Sequence, residues 1–197
     1  GGTISNFTAD SATVYTATFT PDAGSASDGV ISVSSGKFSD AAGNENDVAS
    51  NTITLTVDTS IPTIGITSDV TSLKAGENAT LTFTLSEEST DFVEADITAT
   101  GGTISNFAGS GTTYTATFTP EAGSASDGVI SVSTSAFSDA AGNVSEVSNS
   151  LNLTIAPYAF SNRTDLKTAV DLWISDESTA LNTYGHISNW DVSQVND

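Results

Sequence analysis

The chain repeats itself. GGTISNF at 1–7 returns at 101–107, YTATFTPDAGSASDGVISVS at 15–34 returns at 114–133 with a single Asp-to-Glu change, and FSDAAGN at 38–44 returns at 137–143. The offset slides from 100 to 99 to 98 residues through one-residue gaps, one after Phe7 and one near Val48. Gaps confined to connections between otherwise matched stretches are what a repeat of folded units shows, because connecting loops tolerate insertion and packed strands do not. One complete unit is expected at 58–156. Residues 1–57 are expected to be the C-terminal half of a preceding unit, entered partway through, and 157–197 has a different composition.

Within the complete unit the apolar residues alternate. Ile64 and Ile66, then Leu81, Phe83 and Leu85, then Tyr114, Ala116 and Phe118 each skip one polar neighbour, and Leu151, Leu153 and Ile155 close the series. A period of two with abundant Thr and Val is a strand signal. The spacing predicts strands at 62–68, 79–86, 95–100, 103–107, 112–119, 128–134 and 148–155, with Gly101-Gly102 and Ala108–Gly111 as turns. Short half-buried strands at this density, with no window holding a 3.6 period before residue 160, predict an all-β fold of tandem Ig-like β-sandwich repeats. Phe38, Phe118 and Phe137 fall in core register. In the tail, Leu166, Ala169, Val170 and Trp173 follow helical spacing. Asn162 or Thr164 is placed to cap that helix and Ser175 to end it, giving a short α-helical C-terminal segment.

Composition narrows the partners. Twenty-four acidic residues face four basic ones in 197, a net charge of −20. Such a chain repels phosphate backbones and anionic headgroups, so nucleic acid is excluded as a partner and no membrane insertion is expected of this segment. Dense carboxylates suit a salty exterior rich in divalent cations, and they also serve plain solubility. Cysteine and methionine are both absent. No disulfide or thiolate metal site is therefore available, and Gly1 is not read as a native start.

No catalytic constellation is present. His186 is the single histidine, and no nucleophile elbow, His-Glu-x-x-His or phosphate-cradling loop occurs. Glu87-Glu88 has no aromatic surround of the kind that holds a sugar for hydrolysis. The chemistry open to this chain is metal binding. Counting strands places the segment at Asp58 and the loops 86–95 and 135–147 at one end of the complete unit. Asp58, Glu87, Asp91, Asp96, Asp139 and Asn143 are the candidate ligands, with Glu88 and Glu146 nearby. Asp22 and Asp28 would leave the opposite end of the preceding unit, so carboxylates from both sides of a junction would converge where Ca²⁺ finds hard oxygen ligands. For Asp139-Ala-Ala-Gly-Asn143 a turn is an equal reading, since Asp bonds its own backbone and Gly and Asn tolerate left-handed φ.

TFTLSEESTDFVEADITATGGTISNF, followed by YTATFTP and FSDAAGN and preceded by DTSIPTI, resembles the bacterial Ig-like repeats of large secreted or surface adhesins. At the other end, WDVSQVND at 190–197 resembles the repeat signature of BspA-like leucine-rich surface proteins, and the preceding helix would then be a cap. These resemblances imply an extracellular or cell-surface location and a structural, adhesive stalk. Its partners would be the neighbouring repeats of the same chain and an extracellular ligand. A ligand-binding module for carbohydrate or host protein, and a spacer in a secreted hydrolase, stay open beside that reading. With half a sandwich in 1–57, an exposed apolar face and bare strand edges are expected there.

Overall fold

The computed structural model describes residues 1–196. It divides into two compact units, one spanning Gly1–Ile61 and one starting at Pro62.

The second unit contains the Ig-like β-sandwich. One sheet holds β5 (Ile64–Ser68), β7 (Ala79–Ser89) and β9 (Gly102–Pro120) in the order β5-β7-β9. The other holds β6 (Ser72–Leu73), β8 (Ile97–Thr100), β10 (Gly128–Val132) and β11 (Leu151–Ile155) in the order β6-β11-β10-β8. All pairings are antiparallel except β11 with β6. The period-two pattern produces this directly. In β7 every second residue from Ala79 to Leu85 is buried and those between face outward, so Leu81, Phe83 and Leu85 enter the core together. Ile130, Val132 and Leu153 meet them from the opposite sheet, and Phe83, Phe118, Ile130 and Leu153 are fully buried.

β9 doubles back on itself. The Asn106 side-chain amide donates to the Thr117 hydroxyl at 3.3 Å, whereas residues that far apart along an extended strand would be about 36 Å apart. The reversal falls at Gly109 and Gly111, both at positive φ, inside the turn expected at 108–111. Gly102 and Gly128 are required for a second reason. The Phe118 ring lies 2.5 Å from where a Cβ would stand at either position, so only glycine lets this buried ring fill the layer between the sheets.

Aromatic rings close one end of the core. Phe92 lies 5.5 Å from Phe107, 5.2 Å from Tyr114 and 5.3 Å from Phe137 between ring centroids. The edge-to-face arrangement adds to the area each ring buries. The Tyr114 hydroxyl donates to the Ser89 carbonyl at 2.9 Å, so its polar tip is satisfied in the interior.

The strands depart from expectation at several ends: residues 94–96 form a 3₁₀ turn ahead of β8, β7 runs on to Ser89, and β10 stops at Val132. β6 was not anticipated, and the last strand starts at Leu151 rather than 148. At 148 a side chain takes over half of the ladder: the Ser148 amide donates to the Val132 carbonyl at 3.0 Å, but the Val132 amide donates to the Ser148 hydroxyl at 2.8 Å.

The tail belongs to the second unit. Asn162 caps α1 (Arg163–Ser175) by accepting from the Asp165 amide at 2.9 Å. Asp176 ends α1 and caps α2 (Glu177–Tyr184), which was not anticipated, accepting from the Thr179 amide and hydroxyl. Ala169 and Ala180 are fully buried, small enough for close helix packing. A ring cluster of Tyr158, Phe160, Tyr184 and Trp190 forms the tail's core. The tail docks on the sandwich through Leu181, which contacts Gly123, and Asn189, whose amide donates to the Gly123 carbonyl at 3.4 Å. The expected 157–197 segment ends on Asp197, which lies outside the described residues.

The first unit has two antiparallel pairs, β1 (Gly2–Ala9) with β2 (Tyr15–Pro21) and β3 (Gly29–Ile31) with β4 (Ile53–Leu55). Their sequence matches strands of the second unit, but their surroundings do not. Phe38 is 64% exposed where its counterpart Phe137 is 2% exposed. The core expectation holds for Phe118 and Phe137 and not for Phe38. Burial depends on strands that cover the face, and nothing equivalent to β5 and β7 covers it among the described residues of this unit.

Candidate functional site

The acidic end of the second unit is assembled from the loops that follow β7 and β10. Ser89, buried at the end of β7, donates its hydroxyl to the Asp91 carboxylate at 2.7 Å. Asp91 then accepts from the Ser138 amide at 3.0 Å and the Ser138 hydroxyl at 2.7 Å. Those bonds, led by the Ser138 hydroxyl, hold the Asp91 carboxyl below its ordinary pKa. They also tie together two loops 47 residues apart in the chain, which places both at the same end of the sandwich.

Asp139, next to Ser138, is half-buried. One of its carboxylate oxygens accepts from the Ala141 amide at 2.8 Å and the Asn143 amide at 2.9 Å, and the other from the Asn143 side chain at 2.8 Å. Burial alone would raise the Asp139 pKa. The Asn143 bonds and the backbone amides outweigh it, and the value is lowered. The first unit builds the same turn: Asp40 accepts from the Ala42 amide, the Asn44 amide and the Asn44 side chain, each at 2.9 Å. The Asp-Ala-Ala-Gly-Asn motif therefore closes by the same Asp-to-Asn turn in both places, with Gly43 and Gly142 at φ near 90°.

Glu87 is half-buried, and one of its carboxylate oxygens lies within 4.8 Å of one from Asp139. Within the second unit, this pair, with Asn143 bonded to Asp139, is what the fold brings together from the expected ligands. Asp91 reaches the same end but is engaged by Ser89 and Ser138. Asp96 lies apart, its carboxylate accepting from the Val93 amide at 2.8 Å across a 3₁₀ turn, Glu94–Asp96. Asp58 lies in the first unit, where it accepts from the Ser60 amide at 3.1 Å. Chemically the pair offers hard, anionic oxygens, and a cation drawing on Asp139 would compete with the Asn143 amide for them.

Serines are the functional groups that residue-by-residue reading passed over. Ser145 is buried and accepts from the amides of Ala136 and Phe137 at 3.2 and 3.3 Å. Its counterpart Asn46 does the same for Lys37 and Phe38 at 2.7 and 3.2 Å. A signal existed: these two positions fall on a matched column of the repeat whose residues differ yet both carry an acceptor.

His186 lies against Trp173, with ring centroids 5.2 Å apart, and its Nδ1 is 2.7 Å from the Ser188 hydroxyl. It borders a cavity of about 290 Å³ where the tail meets the sandwich, lined also by Glu77, Glu121, Tyr158 and Tyr184. Among the described residues no helix is long and apolar enough to cross a membrane.

The bacterial Ig-like domain matches twice, over residues 1–57 and 58–155. Domains of this kind form a non-catalytic module family and commonly occur in surface or extracellular proteins. No curated protein matches the chain. Two tandem matches over the repeated sequence, together with a mostly-β sandwich in the second of them, establish that the chain belongs to the bacterial Ig-like domain family.

Proposed function

We propose that the chain is a structural and adhesive stalk segment of a secreted or cell-surface bacterial repeat protein. The observation that carries this reading is the tandem repetition of one non-catalytic module, over 1–57 and 58–155. Repeated sandwiches joined by short segments act mechanically, holding a recognition region away from its anchor. The tail fits as the transition to a second kind of repeat, the BspA-like leucine-rich type, opened by Trp190-Asp191-Val192-Ser193.

Calcium at the joint between repeats would stiffen such a stalk. Glu87 and Asp139 support this reading through their paired carboxylates, and Asp58 stands four residues ahead of Pro62 in the chain. A site with Ca²⁺ at about ten times its Kd would stabilise the holder by about 1.4 kcal/mol. The test is a Ca²⁺ titration of the intact chain, reading melting temperature by calorimetry and length by small-angle scattering. The expected result is a rise of a few degrees that Mg²⁺ does not reproduce and that Glu87→Gln abolishes. If neither melting temperature nor length moves at millimolar Ca²⁺, the calcium reading is wrong.

A further inference from the structure

Both units carry the same loop, Pro-Asp-Ala-Gly-Ser at 21–25 and Pro-Glu-Ala-Gly-Ser at 120–124. In the first unit the chain itself supplies donors to this loop. The Thr59 hydroxyl donates to the Asp22 carbonyl at 2.6 Å, and the Thr59 amide donates to the Ser25 carbonyl at 2.9 Å. In the second unit Pro157 stands in the column of the repeat that Thr59 fills. Proline offers neither an amide hydrogen nor a hydroxyl. Among the described residues nothing donates to the Ser124 carbonyl, the counterpart of Ser25.

Ser124 and Pro157 both line the cavity of about 290 Å³ between the tail and the sandwich. That volume is near the lower end of the range for small-ligand pockets, about 300–1,000 Å³. Glu77 and Glu121 supply its carboxylates, and no lysine or arginine lines it, although Lys74 directly precedes the lining residue Ala75. Glu77 accepts from the Lys74 amide at 2.9 Å, whereas the Glu121 carboxylate has no donor among the described residues. The last turn of α2 also borders the cavity through Asn182 and Tyr184. A helix C-terminus carries partial negative charge. Tyr158 and Tyr184, edge-to-face at 4.8 Å, add ring faces that attract cations.

We propose that this cavity binds a primary ammonium group on a short unbranched chain, as a lysine side chain or a free diamine carries it. The ammonium donates to the Ser124 carbonyl and the Glu121 carboxylate, taking the part that Thr59 plays in the first unit. Its methylenes lie along Tyr158 and Tyr184. An ammonium has three donors and no acceptor, which matches a site whose open polar groups are a carbonyl and a carboxylate. Anions are repelled by both glutamates and by the end of α2. A neutral sugar gains nothing from either charge. The site is independent of the stalk reading, since it needs only the second unit and its tail.

The test titrates the intact chain with cadaverine and, separately, with Nα-acetyl-lysine N-methylamide, following backbone amide signals by NMR. The expected result is a saturating shift at Gly123, Ser124 and Tyr184 with at least one of the two amines. A response to cadaverine alone identifies a free diamine as the source, and a response to the lysine derivative alone identifies a peptide. Nα-acetyl-norleucine N-methylamide, an apolar analogue without the charge, should leave those signals in place at the same concentration. Glu121→Gln should weaken binding about fivefold, through loss of a charge-assisted hydrogen bond. Glu121 is exposed, so this exchange leaves the sandwich folded. Glu45→Gln, in the first unit, should change affinity less than twofold. Equal shifts from the norleucine derivative would overturn the proposal, as would unchanged affinity in Glu121→Gln. Equal weakening by the two Glu variants would overturn it in favour of diffuse attraction to a chain of net charge −20. No shift from either amine at millimolar concentration would overturn it outright.

Discussion

At the scale of single residues, Asp91 does more for the sandwich than its position in a surface loop implies. It accepts from Ser89 on one side and from both Ser138 donors on the other, so the carboxylate is held in its charged form. Its folded pKa lies below the ordinary carboxylate value. A depressed folded pKa contributes stability above the unfolded value and loses it as pH falls through the folded one. Asp91→Asn keeps the shape but presents an NH₂ where a donor must be accepted. The variant is expected to melt lower than the native chain at neutral pH. Its melting temperature should also fall less steeply between about pH 5 and about pH 2. Calorimetry across that range checks both, and parallel curves would show that Asp91 carries no such load.

At the scale of elements, the contrast between Gly24 and Gly123 isolates what the tail does. Both occupy the same place in the repeat, at φ of 64° and 76°. A Cβ at Gly24 meets nothing within 4 Å, while one at Gly123 runs into Leu181. Gly123→Val and Gly24→Val carry similar backbone strain, so only the first should undock α2. Both tryptophans lie in the tail, and the expected outcome is a red-shifted Trp emission in Gly123→Val that Gly24→Val does not show. Identical spectra would mean that the tail does not depend on this contact.

The elements also differ in how far the sequence announces them. Strands with strict alternation, such as Leu81-x-Phe83-x-Leu85, can be read locally because one face is buried and the other wet. β6 cannot, since its two residues become a strand only by pairing with Thr154 and Ile155. α2 hides because Ala180 is its single fully buried residue. At the acidic end, strand counting correctly put the loops of Asp91 and Asp139 together. It did not reveal that Ser138 occupies Asp91, because that bond joins residues with no sequence relation.

For the whole molecule, two stretches of almost the same sequence have opposite environments. Val132 is fully buried and Val33 is 46% exposed, though they are repeat counterparts. Burial of apolar side chains is the dominant favourable term in folding, and exchange protection follows it. Amides of β10 should therefore exchange at least a hundredfold more slowly than those of β3 in the untreated chain. Hydrogen exchange with proteolytic fragmentation checks this, and equal protection of the two strands would show that the first unit is closed in solution.

The turn at Asp40 has a consequence of another kind. It closes between residues four apart and keeps its bonds in a unit whose apolar face is open. The Asp91–Ser138 clasp spans 47 residues and exists only where two distant loops have met. The molecule thus holds two kinds of carboxylate gauge. The Asp40 side chain registers whether a few neighbouring residues are ordered, and the Asp91 side chain registers whether the sheets have come together. Carbon-13 signals from these two groups would separate local order from closure of the sandwich within a single spectrum.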